Sequence, residues 1–492
     1  RALFLCVGQG AGIREANPNP MRTANAPAPY GALPSARQQR WHALEFYGFV
    51  HFTTNTFTDK EWGDGDEDPA LFNPTDFDAD AMAKVAAEVG MRGLILTCKH
   101  HDGFCLWPTK TTEHNVSKSP FRGGRGDVVK ELSDACRRHR IGFGVYLSPW
   151  DRNHPDYGTP AYVAVYRRQL RELLTQYGEV FEVWHDGANG GDGYYGGKRE
   201  TRRIDRRTYY DWPATWEMVR QLQPNAVIFS DVGPDIRWVG NERGTAGDPC
   251  WATCDPPGED GSRPAAPGFV KTDVLQSGQR GAPRWLPAEC DVSIRPGWFW
   301  HEAENTRVRT PENLLELYFA SVGRGASFLL NVPPDRRGRW HENDIAALRG
   351  FRRLRDATFA RNLTPDARIT ASHTRGAADP RFAPANVRDG KPDTYWSTDN
   401  PVTTPELTLT LSKPASVSLL RLREYLPLGQ RIEEFAIDIR ENNGAWREVA
   451  RHQAIGPCRL VRLPPAPTTD AVRLRITSAP VCPALSEIAL FA

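Results

Sequence analysis

Val180–Ala188 reads VFEVWHDGA. A run of apolar, aromatic and β-branched residues that stops at Trp184, His185, Asp186 and Gly187 is the pattern of a buried strand. A carboxylate at the C-terminal lip of such a strand, with glycine beside it, has room to face a ligand. In an α/β barrel that lip is where active sites are built. The same aspartate could instead cap its own loop through backbone amides, and this stretch alone leaves the two readings even.

Working outward, strand-like and helix-like segments alternate from Trp41 to about Phe359. Strands are expected at Phe46–Phe52, Gly93–Cys98, Gly142–Ser148, Ala226–Asp231 and Ala326–Val332, beside the one that carries Asp186. Helices are expected at Asp80–Met91, Asp127–His139, Ala161–Tyr177, Pro213–Leu222, Pro311–Val322 and Glu342–Phe359. Repeated units of this kind imply parallel strands with helices outside them. An open doubly wound sheet is the rival, but polar clusters after nearly every strand favour a closed (β/α)8-like barrel. Between Asp231 and Ala326 the pattern dissolves into segments rich in Gly, Pro and Trp, so the middle strands stay unplaced and a distorted barrel is expected.

Beyond Phe359 the helical period stops. Short alternating segments follow at Glu406–Leu411, Val417–Leu422, Phe435–Arg440 and Val472–Ile476, which read as an all-β jelly-roll sandwich. The expected division is a leader over 1–32, a catalytic α/β domain over 33–360 and a β-sandwich module over 366–492. The leader contains a short apolar patch, ALFLCVG, which reads as the remnant of a secretory signal. It continues into a Pro-, Ala- and Asn-rich stretch to about Arg40 without periodicity, expected to be unstructured.

The 62 basic and 60 acidic side chains nearly balance, so no nucleic acid or anionic membrane surface is implied as a partner. No apolar run approaches the ~20 residues of a membrane span. The cysteines lack metal-ligand spacing, and Cys98 with Cys105, or Cys458 with Cys482, could bridge in an oxidising compartment.

Each barrel strand ends in groups suited to a hydroxyl-rich ligand: His51, then His100 and His101, then Tyr146 and Trp150, then Trp184, His185 and Asp186. One histidine after a strand is usually structural, whereas several strand ends agreeing point to one cavity, because a barrel converges them. Later segments add Asp235, Arg237, Trp238 and Glu242, then Glu289, Asp291, Arg295, Trp298 and Trp300. Glycosidic hydrolysis needs two carboxyls across the anomeric carbon. One attacks or stabilises positive charge, and the other protonates the leaving oxygen. A G-x-S-x-G elbow, a P-loop and an H-E-x-x-H motif are all absent from the sequence.

The ordered set EWGDG from Glu61, KHHDGF, GVYLSPWD, EVWHDGANG, RWVGNE, SIRPGWFWH and FLLNVPPD resembles the α-L-fucosidases of glycoside hydrolase family 29, over about Leu33 to Phe359. The details resemble the subfamily acting on α-1,3/1,4-linked fucose. The resemblance implies a retaining exo-enzyme with Asp186 as nucleophile and Glu242 as acid/base, Glu289 being the second choice. It implies a sugar-binding shell of His51, His100, His101, Tyr146, Trp184 and Arg295, with Glu61, Trp62 and Trp298 nearby. It also implies fucosylated glycans as partners and no cofactor for catalysis.

The segment Asp389–Ser397 (DGKPDTYWS) resembles discoidin or carbohydrate-binding modules. In that setting Asp389, Asp393 and Thr394, with Glu487, would hold a structural calcium ion, against the alternative of a metal-free turn. Two other functions stay open: a non-catalytic glycan-binding protein that kept the pocket, and an exo-glycosidase for a related sugar such as galactose. A periplasmic or secreted bacterial protein is the expected setting.

Overall fold

The computed structural model describes residues 24–492 apart from 443 and 464. Eight strands close into a barrel: β1 Phe46–Val50, β2 Gly93–Lys99, β3 Gly142–Leu147, β4 Glu182–Trp184, β5 Val227–Ser230, β6 Ile236–Trp238, β7 Ala288–Ser293 and β8 Ser327–Asn331. Every pairing is parallel and the order around the barrel follows the chain, with β8 closing on β1. The strands are buried almost throughout, which is why they read as near-continuous apolar runs.

Outside lie α2 Ala79–Val89, α3 Val128–Arg138, α4 Pro160–Gln176, α5 Trp212–Leu222, α6 Pro311–Ala320 and α7 Glu342–Thr358, with α1 Ala36–His42 at the N-terminal end. Asp78 and Asp127 each cap a helix by accepting a backbone N–H, at 2.9 Å in both cases, so the two start where the apolar period begins. The main apolar core fills the space between helices and strands. A second cluster lies inside the barrel and includes Tyr47, Phe49, Tyr146, Trp184 and Phe229.

The distortion sits where the pattern was lost. Residues 231–235 alone connect β5 to β6, although the two strands pair in parallel, a join that ordinarily takes a dozen residues or more. Asp235 holds this tight link by accepting Ile228 N–H at 2.8 Å and pairing with Arg37 and Arg220. No helix separates β6 from β7 either; a long irregular excursion with one 3-10 turn at Thr272–Val274 fills that position.

The C-terminal module is a sandwich of antiparallel sheets of five and four strands. Its strands are β9 Arg368–Ala371, β10 Trp396–Ser397, β11 Glu406–Ser416, β12 Leu419–Glu424, β13 Glu434–Arg440, β14 Trp446–Gln453, β15 Arg459–Arg462, β16 Thr468–Ser478 and β17 Ala484–Phe491.

Three expectations change. The signal-like patch lies outside the described residues, but the later part of the leader is ordered against the module. Tyr30 N–H donates to Leu428 O at 3.0 Å and Arg431 donates to Ala28 O at 2.9 Å. The helix α1 then begins at a capping box on Ser35 and Gln38; the S-x-x-Q signal for it is present in the sequence. The described cysteines are all free and buried, so neither anticipated bridge forms.

The anticipated calcium ligands do not fit a cation. Glu487 is neutralised by Arg421 and Arg423 at 2.6 and 2.8 Å. Asp389 accepts the Thr394 hydroxyl at 2.8 Å and Lys391 N–H at 2.8 Å, while Asp393 is exposed. The segment is a hydrogen-bonded turn.

Candidate active site

At the C-terminal ends of the strands a cavity of about 170 Å3 is lined by Phe49, His51, Trp62, His100, His101, Tyr146, Trp184, Asp186, Ala188, Glu242, Asp291 and Trp298. Six of the eight strands deliver these side chains directly or through the loop that follows them. A larger space of about 450 Å3 lies at the opposite end, but Glu179 is the one acidic residue lining it. It lacks the carboxyl pair that glycosidic cleavage requires.

Asp186 is two residues past β4. Its Oδ2 accepts the Tyr146 hydroxyl at 2.9 Å and its Oδ1 accepts Ala188 N–H at 2.7 Å. Gly187 follows because a Cβ there would collide with the Asp231 carboxylate. Asp231 itself directly follows β5 and accepts Gly268 N–H at 2.8 Å. Burial pushes its pKa up to about 6, the Gly268 bond opposing and the charge of Asp186 adding to the rise.

Glu242 stands at the mouth, where Trp298 Nε1–H donates to it at 3.3 Å. Burial of its carboxyl pushes its pKa up; the Trp298 bond opposes that and the charges of Asp186 and Glu61 reinforce it. Asp186 is therefore held by two hydrogen-bond donors, while at Glu242 desolvation of the carboxyl and the neighbouring acidic charges favour the protonated form.

The histidines are neutral donors and acceptors. His51 Nδ1 bonds Asn331 Oδ1 at 2.9 Å, and burial drives its pKa down to about 3. Ser148 Oγ donates to Trp150 O at 2.7 Å and so accepts from His101 Nδ1–H at 2.7 Å. That arrangement leaves His101 Nε2 as an acceptor. His100 Nδ1 is buried without a protein partner and its pKa is pushed well down by burial.

Aromatic faces complete the lining. Trp184 stacks on Phe229 at 3.9 Å, while Trp62 stands edge-on to His101 and is 53% exposed.

Three anticipated site residues lie elsewhere. Arg295 is fully buried in an ion pair with Asp344 at 3.0 Å, turned away from the cavity. Glu289 is buried under Trp184, whose Nε1–H it accepts at 2.7 Å. Being on β7 rather than in a loop, it points into the barrel below the cavity floor and cannot reach a leaving group. Glu61 is occupied by the backbone N–H of Trp298 at 2.8 Å and of Phe299 at 3.1 Å, and by His301 at 2.7 Å, so it positions Trp298 from behind.

Phe49 and Ala188 line the cavity without having been offered by the sequence, and Asp291, offered in the later segments, lines it without having been given a role. The available signal was the spacing of Asp291 from Glu289, which a strand assignment would have put on one face.

Comparison with known proteins decides the family. The α-L-fucosidase family model matches residues 30–353, and an F5/8 type C domain matches residues 368–488. The chain belongs to the α-L-fucosidase family. It is thus an enzyme of the glycosidase class with a discoidin-like module, matching the closed barrel and antiparallel sandwich described above.

α-L-Fucosidase 1 of Arabidopsis thaliana is 40% identical over 468 residues, covering 94% of this chain and 88% of the relative. A glycoside hydrolase 29 family member from an unknown rumen bacterium superposes with a TM-score of 0.81 at 40% identity, over 94% of this chain and 78% of that one. A Ruminococcus gnavus family 29 fucosidase in complex with fucose gives 0.83 at 30% identity, over 95% and 97%. No helix among the described residues of this family member is long and apolar enough to cross a membrane.

Proposed function

We propose that this family member is a retaining exo-α-L-fucosidase that releases terminal α-1,3- or α-1,4-linked L-fucose from branched glycans. The observation that carries the reading is the pair of carboxyls in one small cavity with opposed environments. Asp186 accepts two hydrogen bonds, and Glu242 is pushed towards its protonated form. Environments that separate two carboxyls in this way assign acid and nucleophile.

In the first step an Asp186 oxygen forms a bond to the anomeric carbon as the glycosidic bond breaks, and Glu242 gives its proton to the departing oxygen. In the second, the Glu242 carboxylate takes a proton from water, the water oxygen bonds to the anomeric carbon, and the ester to Asp186 breaks. Neither step calls for a cofactor. The neutral imidazoles of His51, His100 and His101 suit hydroxyl recognition, and Trp184 and Trp298 suit the C–H face and methyl of the sugar.

A cavity of about 170 Å3 is below the ~300 Å3 of pockets that enclose drug-sized ligands, which supports one ring bound and the rest of the glycan outside. Trp62 at the mouth supports contact with that remainder. Placement outside the cytoplasm is part of the proposal and rests on the apolar patch near the N-terminus.

The test is azide rescue. Asp186→Ala should lose hydrolysis and, with azide and an activated fucoside, yield the β-fucosyl azide, since azide then attacks in place of the nucleophile. Glu242→Ala should yield the α-fucosyl azide by attack on the accumulated fucosyl ester. Identical anomers from both variants, or an inactive wild type on every fucosyl linkage, would overturn the reading. Turnover of α-galactosides in preference to fucosides would move the specificity to galactose.

A further inference from the structure

The face that β7 turns into the barrel is polar at three successive levels. Side chains at 289, 291 and 293 share it by strand alternation. Glu289 holds the underside of Trp184, and Ser293 Oγ donates to Gly297 O at 2.7 Å, anchoring the loop that carries Trp298. Asp291 lies between them. It lines the cavity, is 3% exposed, and uses Oδ1 to accept Trp238 Nε1–H at 2.9 Å.

Asp291 makes no ion pair among the described residues, and the charges bearing on it are acidic: Glu242 from the loop after β6 and Glu289 from its own strand. Asp186 faces the same cavity from the end of β4, and the imidazoles there, His51, His100 and His101, are pushed towards the neutral form by burial, the charge of Asp186 opposing this at His101. A buried carboxylate with acidic neighbours and no cation is costly.

We propose that Asp291 is a third working carboxyl of the pocket, entering the reaction uncharged and donating a hydrogen bond from its second oxygen to a hydroxyl of the bound sugar. The proposal rests on the reading of this cavity as a fucose site. Burial, reinforced by the charges of Glu242 and Glu289, pushes the Asp291 pKa well above the usual carboxylate range, in agreement with the geometry. An uncharged Asp291 also spares Glu242 a third anionic neighbour beside Asp186 and Glu61. Its donor is fixed on a strand rather than a loop, so the contact selects a hydroxyl at one position of the ring.

The experiment is a titration with free L-fucose, followed by tryptophan fluorescence and repeated from mildly acidic to mildly alkaline pH. It uses wild type, Asp291→Asn and Asp291→Ala, with thermal midpoints checking that each is folded. An asparagine keeps the acceptor for Trp238 and supplies an N–H donor where the acid had its O–H. Asp291→Asn should therefore bind within about threefold of wild type, and Asp291→Ala roughly tenfold more weakly or worse.

Wild-type affinity should fall on the alkaline side, where Asp291 loses its proton, and that fall should be missing in Asp291→Asn. The proposal is overturned if the asparagine variant binds as poorly as the alanine one, if folded Asp291→Ala binds like wild type, if the alkaline fall survives in Asp291→Asn, or if wild type binds no fucose. Fucose release by wild type from a fucosylated trisaccharide is scored separately. Binding without release fails the hydrolase reading while leaving the hydrogen-bond assignment to the titration.

Discussion

Tyr146 and Trp298 each donate one hydrogen bond to one of the two carboxyls proposed to react, and the consequences differ. The Tyr146 hydroxyl fixes the orientation of Asp186 from the end of β3. Tyr146→Phe keeps the ring against Trp184 and removes only the donor. A hydrogen bond to a charged group contributes roughly 1.5–3 kcal/mol, so kcat should fall at least about tenfold, with a thermal midpoint close to wild type in calorimetry. An unchanged kcat would separate Tyr146 from the work of Asp186.

Trp298 acts on the proposed acid. Its N–H favours the anionic form of Glu242 and so opposes the upward shift caused by burial. Trp298→Phe removes that opposition, and Glu242 should hold its proton to higher pH. If Glu242 is the proposed acid, the alkaline limb of kcat/KM is where it loses the proton it donates, so this limb should move upward in the variant. A downward move in the pH–rate profile would contradict the acid assignment.

The strand β7 shows at the scale of an element why a polar face inside a barrel is both functional and hard to read. Glu289 and Glu182 of β4 form a buried pair with no cation among the described residues, and burial drives both pKa values up. Glu289 accepts from Tyr47 and Trp184, whereas Glu182 accepts from Trp41 at 3.2 Å. The proton of the pair belongs on Glu182, with Glu289 as the acceptor.

Glu182→Gln should then be nearly neutral for stability. Glu289→Gln should cost about 1–3 kcal/mol, because one of two buried donors would face an N–H group. In wild type the folded pair keeps a proton that the unfolded chain gives up above the ordinary glutamate range, so stability should fall as pH rises from there. Urea midpoints measured at mildly acidic and mildly alkaline pH check this, and the fall should shrink in Glu182→Gln.

The same polarity hid the strand. β1 to β5 and β8 are dominated by apolar residues and their positions are legible, as is the convergence of His51, His100, His101, Tyr146 and Asp186 that follows from closing a barrel. β6 is only Ile236–Trp238 and is reached without a helix. β7, Ala288–Ser293, carries Glu and Asp where an apolar run is expected. Read as a loop, it offered Glu289 as an alternative acid, and the family resemblance offered Arg295 just beyond it as a sugar ligand; alternation sends the first beneath the cavity floor and burial commits the second to Asp344.

At the scale of the molecule, the sandwich and barrel share a core. Leu419, Cys458, Leu460, Ala489 and Phe491 belong to the same apolar cluster as the barrel helices, and Phe359 meets Phe491 at 5.1 Å. Residues 24–32 run along the sandwich before α1 packs Trp41 into the barrel's N-terminal end, so the chain ties the domains together from both sides.

The polar centre of this joint is Glu45, just before β1, paired with Arg423 of β12 at 2.5 Å; Arg423 is also bonded to Glu487. Burial alone would raise the Glu45 pKa, but Arg423 outweighs it and the folded value lies below the usual one. A carboxylate depressed in the folded state stabilises the protein above its unfolded pKa, and that contribution disappears as pH falls through the folded value.

Arg423→Ala should therefore cost roughly 2 kcal/mol at neutral pH, between the small contribution of an exposed pair and the larger loss from breaking a buried one. The difference in thermal midpoint between variant and wild type should narrow on acidification below the ordinary glutamate range, because both proteins then carry a protonated Glu45. A gap that stays constant with pH would mean that the alkyl chain of Arg423, rather than its charge, holds the two domains together.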